Sequence, residues 1–188
     1  MPLSLTSFTA SVRLPRAAIV GLLAATLSGC ASMTPEECLT ANWREQGLRD
    51  GIDGEPRAYL EEHRKACSKV GVVPDARQYE LGRAEGIRQY CTPQNGREQG
   101  RRGHSYQRSC PPELEGPFLE EYRAGRRVYD AEKRVEWLVS EQRTKESELS
   151  RAKDDETRER IRRKLRDLDY QLRSARDQLS YEERRLYR

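Results

Sequence analysis

From Arg126 to Arg188 the chain contains neither glycine nor proline. A stretch this long without helix breakers, filled with Arg, Glu, Asp, Lys and spaced aliphatics, has α-helix as its favoured regular structure. Within it Ile161, Leu165, Leu168, Leu172, Ala175 and Leu179 alternate spacings of four and three, the seam of a coiled coil, and Leu186 falls back on it. Upstream, Val128, Ala131, Val135, Leu138, Leu149 and Ala152 keep a second heptad frame, weakened by Gln142 and Lys145. The two frames are out of register across 153–157, where Asp154 or Asp155 is placed to cap a new helix. An antiparallel hairpin follows, with arms of roughly 25 to 30 residues and about 40–45 Å. The alternative is one long helix pairing in parallel with a second copy. A frame shift is costly in such a dimer and free at a turn, which favours the hairpin.

The preceding part has a different grammar. It holds nearly all the Gly and Pro, the last being Gly125 and Pro117. Aromatics are followed by glycines at helical spacing: Trp43, Gly47, Gly51; Tyr79, Gly82, Gly86, Tyr90; Gly96, Gly100, Gly103, Tyr106; Tyr122, Gly125. Gly82, Gly86 and Tyr90 share one helix face. Glycine there costs about 1 kcal/mol relative to alanine, so the pattern points to close approach by another backbone. Membrane dimerisation through Gly-x3-Gly is excluded by the interleaved Arg83, Glu85 and Arg88. Turn signals at 53–56, 73–75, 92–96 and 111–112 divide the segment into three or four short helices. The expected fold is mostly α: a small disulfide-stapled head of short helices and irregular loops, then a long C-terminal helical hairpin or coiled coil. The expected divisions are a leader at 1–29, a lipidated linker at 30–35, the head at 36–125 and the helical segment at 126–188.

The leader reading rests on Arg13 and Arg16 before an apolar run from Ala17 to Leu27, too short to span a bilayer. The run ends in Leu27-Ser28-Gly29-Cys30, a lipobox. Cleavage before Cys30 and lipidation of its thiol and amine would leave three acyl chains, palmitate among them, more than stable anchoring needs. Ala31 follows the cysteine in place of an aspartate that would retain the protein in the inner membrane. The expected location is therefore the outer membrane, facing the periplasm.

Setting Cys30 aside leaves Cys38, Cys67, Cys91 and Cys110. An even count in an oxidising compartment reads as two disulfides, with three connectivities open. Sequential pairing would close loops of roughly 20 to 30 residues and stabilise by about 3 kcal/mol each. Such staples are needed, because 31–125 is poor in Leu, Ile, Val and Phe. A zinc site would want closely paired thiolates, which the spacing does not offer.

Lys and Arg number 35 against 31 Asp and Glu, interspersed along the chain. That balance gives no reason to expect nucleic acid. His63 sits in Glu61-Glu62-His63-Arg64-Lys65 and reads as a solvated helix surface. His104 has no partner at metal-binding spacing. Asp50-Gly51-Ile52-Asp53-Gly54-Glu55 lacks calcium-loop spacing and reads as a glycine-rich turn. No nucleophile motif is present, and neither a catalytic residue, a metal site nor a cofactor is expected. The one candidate ligand site is the basic run containing Arg97, Arg101, Arg102 and Tyr106, whose forked donors suit anionic headgroups or glycan carboxylates.

Trp43-x3-Gly47-x2-Asp50-Gly51, His63-Arg64-Lys65-Ala66-Cys67 and Tyr79-x2-Gly82-x2-Glu85-Gly86-x3-Tyr90-Cys91 form a distinctive series. Pro93-x-Asn95-Gly96, Gly103-x2-Tyr106-x3-Cys110-Pro111 and Phe118-x3-Tyr122-x2-Gly125 continue it. Together they resemble the domain-of-unknown-function family 2799, small bacterial lipoproteins, over about residues 36 to 130. The resemblance implies an envelope lipoprotein and brings no functional residues with it. The expectation is a non-enzymatic structural or interaction protein, held to the membrane through Cys30, with 126–188 docking a protein partner or a second copy. The alternative is a module that binds an envelope glycan or lipid headgroup, with an envelope enzyme a more distant third.

Overall fold

The computed structural model describes residues 32–187; the leader, Cys30 and its lipidation lie outside the described residues. The regular structure of the described residues is helical: α1 (Pro35–Thr40), α2 (Trp43–Asp53), α3 (Tyr59–Ser68), α4 (Ala76–Tyr90), α5 (Pro93–Arg101), α6 (Pro112–Arg151) and α7 (Asp155–Leu186). No described helix is long and apolar enough to cross a membrane.

Side chains at the boundaries explain why these segments start where they do. Asn42 caps α2 by accepting from the Arg44 and Glu45 amides, and Asp75 caps α4 through Arg77 and Gln78. Thr92 caps α5 with Pro93 as its first residue, so 92–96 opens a helix and is not the turn expected there. Likewise Asp50 and Gly51 belong to α2, and only Gly54 turns, in the left-handed region at φ 75°.

The head is a helix pair used twice. In the first, Gly47 and Gly51 of α2 lie against Gly82 and Gly86 of α4, so close that a methyl on Gly82 would overlap the Arg44 carbonyl. In the second, Gly96 and Gly100 of α5 meet the Phe118 and Tyr122 carbonyls of α6, and Gly125 meets Arg97 and Arg101 of α5. The correspondence extends to detail. Gly54 and Gly103, both at positive φ, end the first helix of each pair, covered by the rings of Tyr90 and Tyr129. Arg83 Nη2 donates to the Glu55 carbonyl at 2.8 Å, and the Tyr122 hydroxyl donates to the His104 carbonyl in the matching place at 2.6 Å. The aromatic-glycine echo in the sequence is this duplication.

Two disulfides, Cys38–Cys67 and Cys91–Cys110, staple the head. The first ties α1 to α3 and is buried with Met33; the second ties the end of α4 to the loop before α6. Beside it Tyr90, Phe118, Tyr106 and Tyr122 pack as an aromatic cluster, with Tyr90 and Phe118 centroids 5.2 Å apart. Five short helices precede α6, more than the three or four expected.

The change of composition at Gly125 is not a break in structure. α6 runs through it as 40 residues, about 60 Å, and α7 has 32, about 48 Å. Both exceed the 25 to 30 expected, because the first arm begins at Pro112 inside the head. The two helices form the antiparallel hairpin. Arg127 meets Glu182, Arg134 meets Gln171, and Leu138 packs with Leu168 and Leu172. Asp154 accepts from the Thr157 amide at 2.7 Å and starts α7 where the two frames diverge. Glu182 occupies the seam position between Leu179 and Leu186 and is buried, paired with Arg127 Nε at 3.1 Å.

Candidate functional site

The most concentrated polar chemistry in the core of the first helix pair centres on Asp50. Its Oδ2 lies 2.7 Å from His63 Nε2 and accepts the Tyr79 hydroxyl at 2.7 Å, while Oδ1 accepts Gln46 Nε2 at 2.8 Å. His63 Nδ1 is 2.9 Å from Ser32 Oγ. A carboxylate can only accept, so His63 Nε2 carries a proton and donates to Asp50. Burial, followed by the bond to Asp50, pushes the Tyr79 phenol well above its ordinary value and keeps it a donor. Burial and the nearby charges of Asp50 and Asp53 raise the Glu55 carboxyl as well.

His63 is 0% exposed, which corrects the solvated-surface reading. It faces inward because Leu60, His63 and Cys67 share the buried face of α3. Trp43, Tyr59 and Tyr79 surround the imidazole, with Tyr59 5.0 Å away edge-on. The charged neighbours Glu61, Glu62, Arg64 and Lys65 pointed the other way, but the Leu60-x2-His63-x3-Cys67 spacing was a legible sign of burial. Ser, His and Asp are linked in a line here, yet every polar atom of the Asp50 carboxylate and the imidazole is already engaged. Surface recesses lie elsewhere, among them one at the hairpin tip and one between α4 and α6. What the arrangement does is hold Ser32, and with it the start of the described chain, against the α2–α3 core. Among the described residues no group of His, Cys, Asp and Glu is placed to hold a metal ion.

The basic run of α5 is spread among different partners. Arg97 pairs with Glu121 at 2.7 Å, Arg101 with Glu132 at 3.2 Å and Arg102 with Glu98 at 3.4 Å. Tyr106 leans on Phe118 and Tyr122 in the core, donates to Glu115 and accepts from the Cys110 amide. Burial pushes its phenol up to about 12. Arg97, Arg101 and Tyr106 tie α5 and its following loop to α6, while Arg102 pairs within α5. His104 is exposed, with Nδ1 2.7 Å from Gln99 Oε1.

The hairpin shows a different feature. Trp137 and Tyr170 are 52% and 68% exposed on an otherwise charged surface. Arg134 joins them, its guanidinium 4.8 Å above the Trp137 ring and donating to Gln171 at 3.0 Å. A recess of about 330 Å3 lies between Arg134, Tyr170 and Gln171.

The fold is thus an all-helical, disulfide-stapled head whose last helix continues into a hairpin. Residues 42–127 match the family model described as Protein of unknown function (DUF2799). The match covers both helix pairs and stops within α6, so Cys38 and most of the hairpin lie outside it. No curated protein and no solved structure matches the chain.

Proposed function

We propose that the protein is a non-enzymatic interaction protein of the bacterial envelope, lipidated at Cys30 and held at the outer membrane facing the periplasm, with its hairpin as the partner-binding arm. The observation that carries the interaction reading is the exposed Trp137–Arg134–Tyr170 group. Trp, Tyr and Arg are the residues on which binding energy concentrates, and here they stand clear of the seam that holds the hairpin together. The lipobox supports the anchor, and the two disulfides accord with an oxidising compartment.

The anchor is tested by mass spectrometry of the mature N-terminus and by membrane fractionation of Cys30→Ala, which is expected to be released. A variant that stays bound overturns it. The arm is tested by crosslinking in living cells with Trp137→Ala/Tyr170→Ala. Loss of a defined crosslinked protein at unchanged thermal stability is expected, and an unchanged crosslink overturns this surface. A crosslink to a second copy would make the partner the protein itself. Leu165, Leu168 and Leu172 are unsuitable for this purpose, because Leu168 and Leu172 are buried between the two arms and their loss would unfold the hairpin.

A further inference from the structure

The two helix pairs meet along a recess of about 490 Å3 between α4, the loop before α6 and the first turn of α6. Its charged lining is Arg57, Glu80, Arg83, Arg88, Arg108 and Glu113. Glu80 is occupied by Arg57 at 2.8 Å, which leaves three guanidiniums facing the single carboxylate of Glu113. Among the described residues no ion pair engages Arg83, Arg88 or Arg108.

Two buried groups in this wall have unmet hydrogen-bonding capacity. Arg83 is 8% exposed and Ser109 7%, and among the described residues neither Arg83 Nε nor Ser109 Oγ has a partner. Buried polar atoms are nearly always paired, so two orphans lining one recess call for an explanation. Burial also lowers the Arg83 value from that of an ordinary arginine, an effect that a neighbouring negative charge would oppose. The third element is the end of α6. Its N-cap is Pro111 and its first residue Pro112, with no side-chain cap, and both prolines line the recess. Neither proline carries an amide hydrogen, and Leu114 and Glu115 both donate to the Pro111 carbonyl at 3.0 Å, so this terminus adds only the Glu113 amide to the wall. Arg108 is held there at φ 54°, uncommon for a residue with a side chain, and the Cys91–Cys110 bridge fixes the loop that carries it.

We propose that this recess binds a phosphate monoester. Side-chain donors reach it from α4 and from the 108–109 loop, on two sides of the recess. That spread suits a tetrahedral dianion, whereas a planar carboxylate is served by one guanidinium fork. The volume lies in the range of small-ligand sites, leaving room for a sugar or glycerol moiety beyond the phosphate. The lining shares no residue with the Trp137–Tyr170 surface and falls within residues 42–127, the segment that the family model matches.

Calorimetric titration of the full chain with inorganic phosphate, glucose 1-phosphate and acetate tests the proposal. A phosphatidic acid vesicle serves as a further arm that distinguishes a lipid from a soluble source. Saturable binding of the phosphate probes is expected, with acetate much weaker. Arg88→Gln and Arg108→Asn alter exposed side chains, and asparagine tolerates positive φ. Each is expected to weaken phosphate by about tenfold at unchanged thermal stability, as is Ser109→Ala. Absent saturation, equal affinity for acetate, or full affinity in both arginine variants overturns the assignment.

Discussion

His63 meets Asp50 through Nε2, 2.7 Å from Oδ2, with both side chains out of water. Because Tyr79 and Gln46 converge on the same carboxylate, Asp50 holds three elements, α2, α3 and α4, at one point. Asp50→Ala would strand the imidazole and the phenol together. It is expected to cost about 3–5 kcal/mol in urea unfolding. Ser32→Ala removes only the outermost hydrogen bond and is expected to cost about 1 kcal/mol. Equal small losses for both variants would show that the cluster is not a structural junction.

The glycine faces give a paired test. Gly82→Ala would place a methyl against the Arg44 carbonyl and force α2 and α4 apart. A loss of about 3 kcal/mol is expected, at the upper end of overpacking costs. Gly116, in the second turn of α6, has nothing within 4 Å of an added methyl. Gly116→Ala is therefore expected to stabilise by about 0.5–1 kcal/mol. Thermal melts of the two variants should move in opposite directions.

The hairpin seam separates apolar packing from a buried charge. Leu168→Ala opens the Leu138–Leu168–Leu172 cluster and is expected to cost about 2–5 kcal/mol. Glu182→Leu replaces the one acidic residue in the seam with the type its neighbours Leu179 and Leu186 provide, and is expected to be neutral or stabilising. Arg127→Ala leaves Glu182 buried with only Gln178 and is expected to destabilise. If Glu182→Leu proved the most damaging of the three, the ion pair rather than the leucines would be holding the arms.

Acid should fray two helix starts. Hydrogen bonds with the backbone and hydroxyl of Thr34 hold Glu37 below the ordinary carboxylate value, and those from Thr157 do the same for Asp154. The unfolded chain thus takes up these protons first as pH falls. The stabilisation is complete above the ordinary values of 4.5 and 3.8 and drains away through the lowered folded ones. Amide protection at Thr157 and Arg158, relative to the intrinsic exchange rate at each pH, is expected to fall below about pH 4. Asp154→Asn, which still caps but does not titrate, should abolish that dependence.

Helical class, disulfide count and the close approach of helices at glycine were readable because each leaves a local signature: absent breakers, an even cysteine number, Gly at i and i+4. The cap at Asp154 was readable for the same reason. The inward turn of His63 was masked by four charged neighbours that lie on the other faces of α3. The pairing of Arg97 and Arg101 with Glu121 and Glu132 depends on how α5 and α6 sit together. Composition cannot report that. The start of α6 was missed because Pro112, Gly116 and Pro117 look like loop residues, although proline is well suited to a first helical turn. The recess between α4 and α6 draws on three separated stretches of chain, at 57, 80–88 and 108–114, and no single run of sequence announces it.

That α6 belongs to both the head and the hairpin has a mechanical meaning. From Gly125 to Arg151 the helix extends about 40 Å beyond its tightest contact with α5. A load applied at the hairpin tip would act on a lever, with the Gly100–Gly125 crossing as its fulcrum and the Pro112 end as its short arm. Docking at Trp137, partway along that lever, and a change in the walls around Arg108 and Ser109 would then be strokes of one rigid rod.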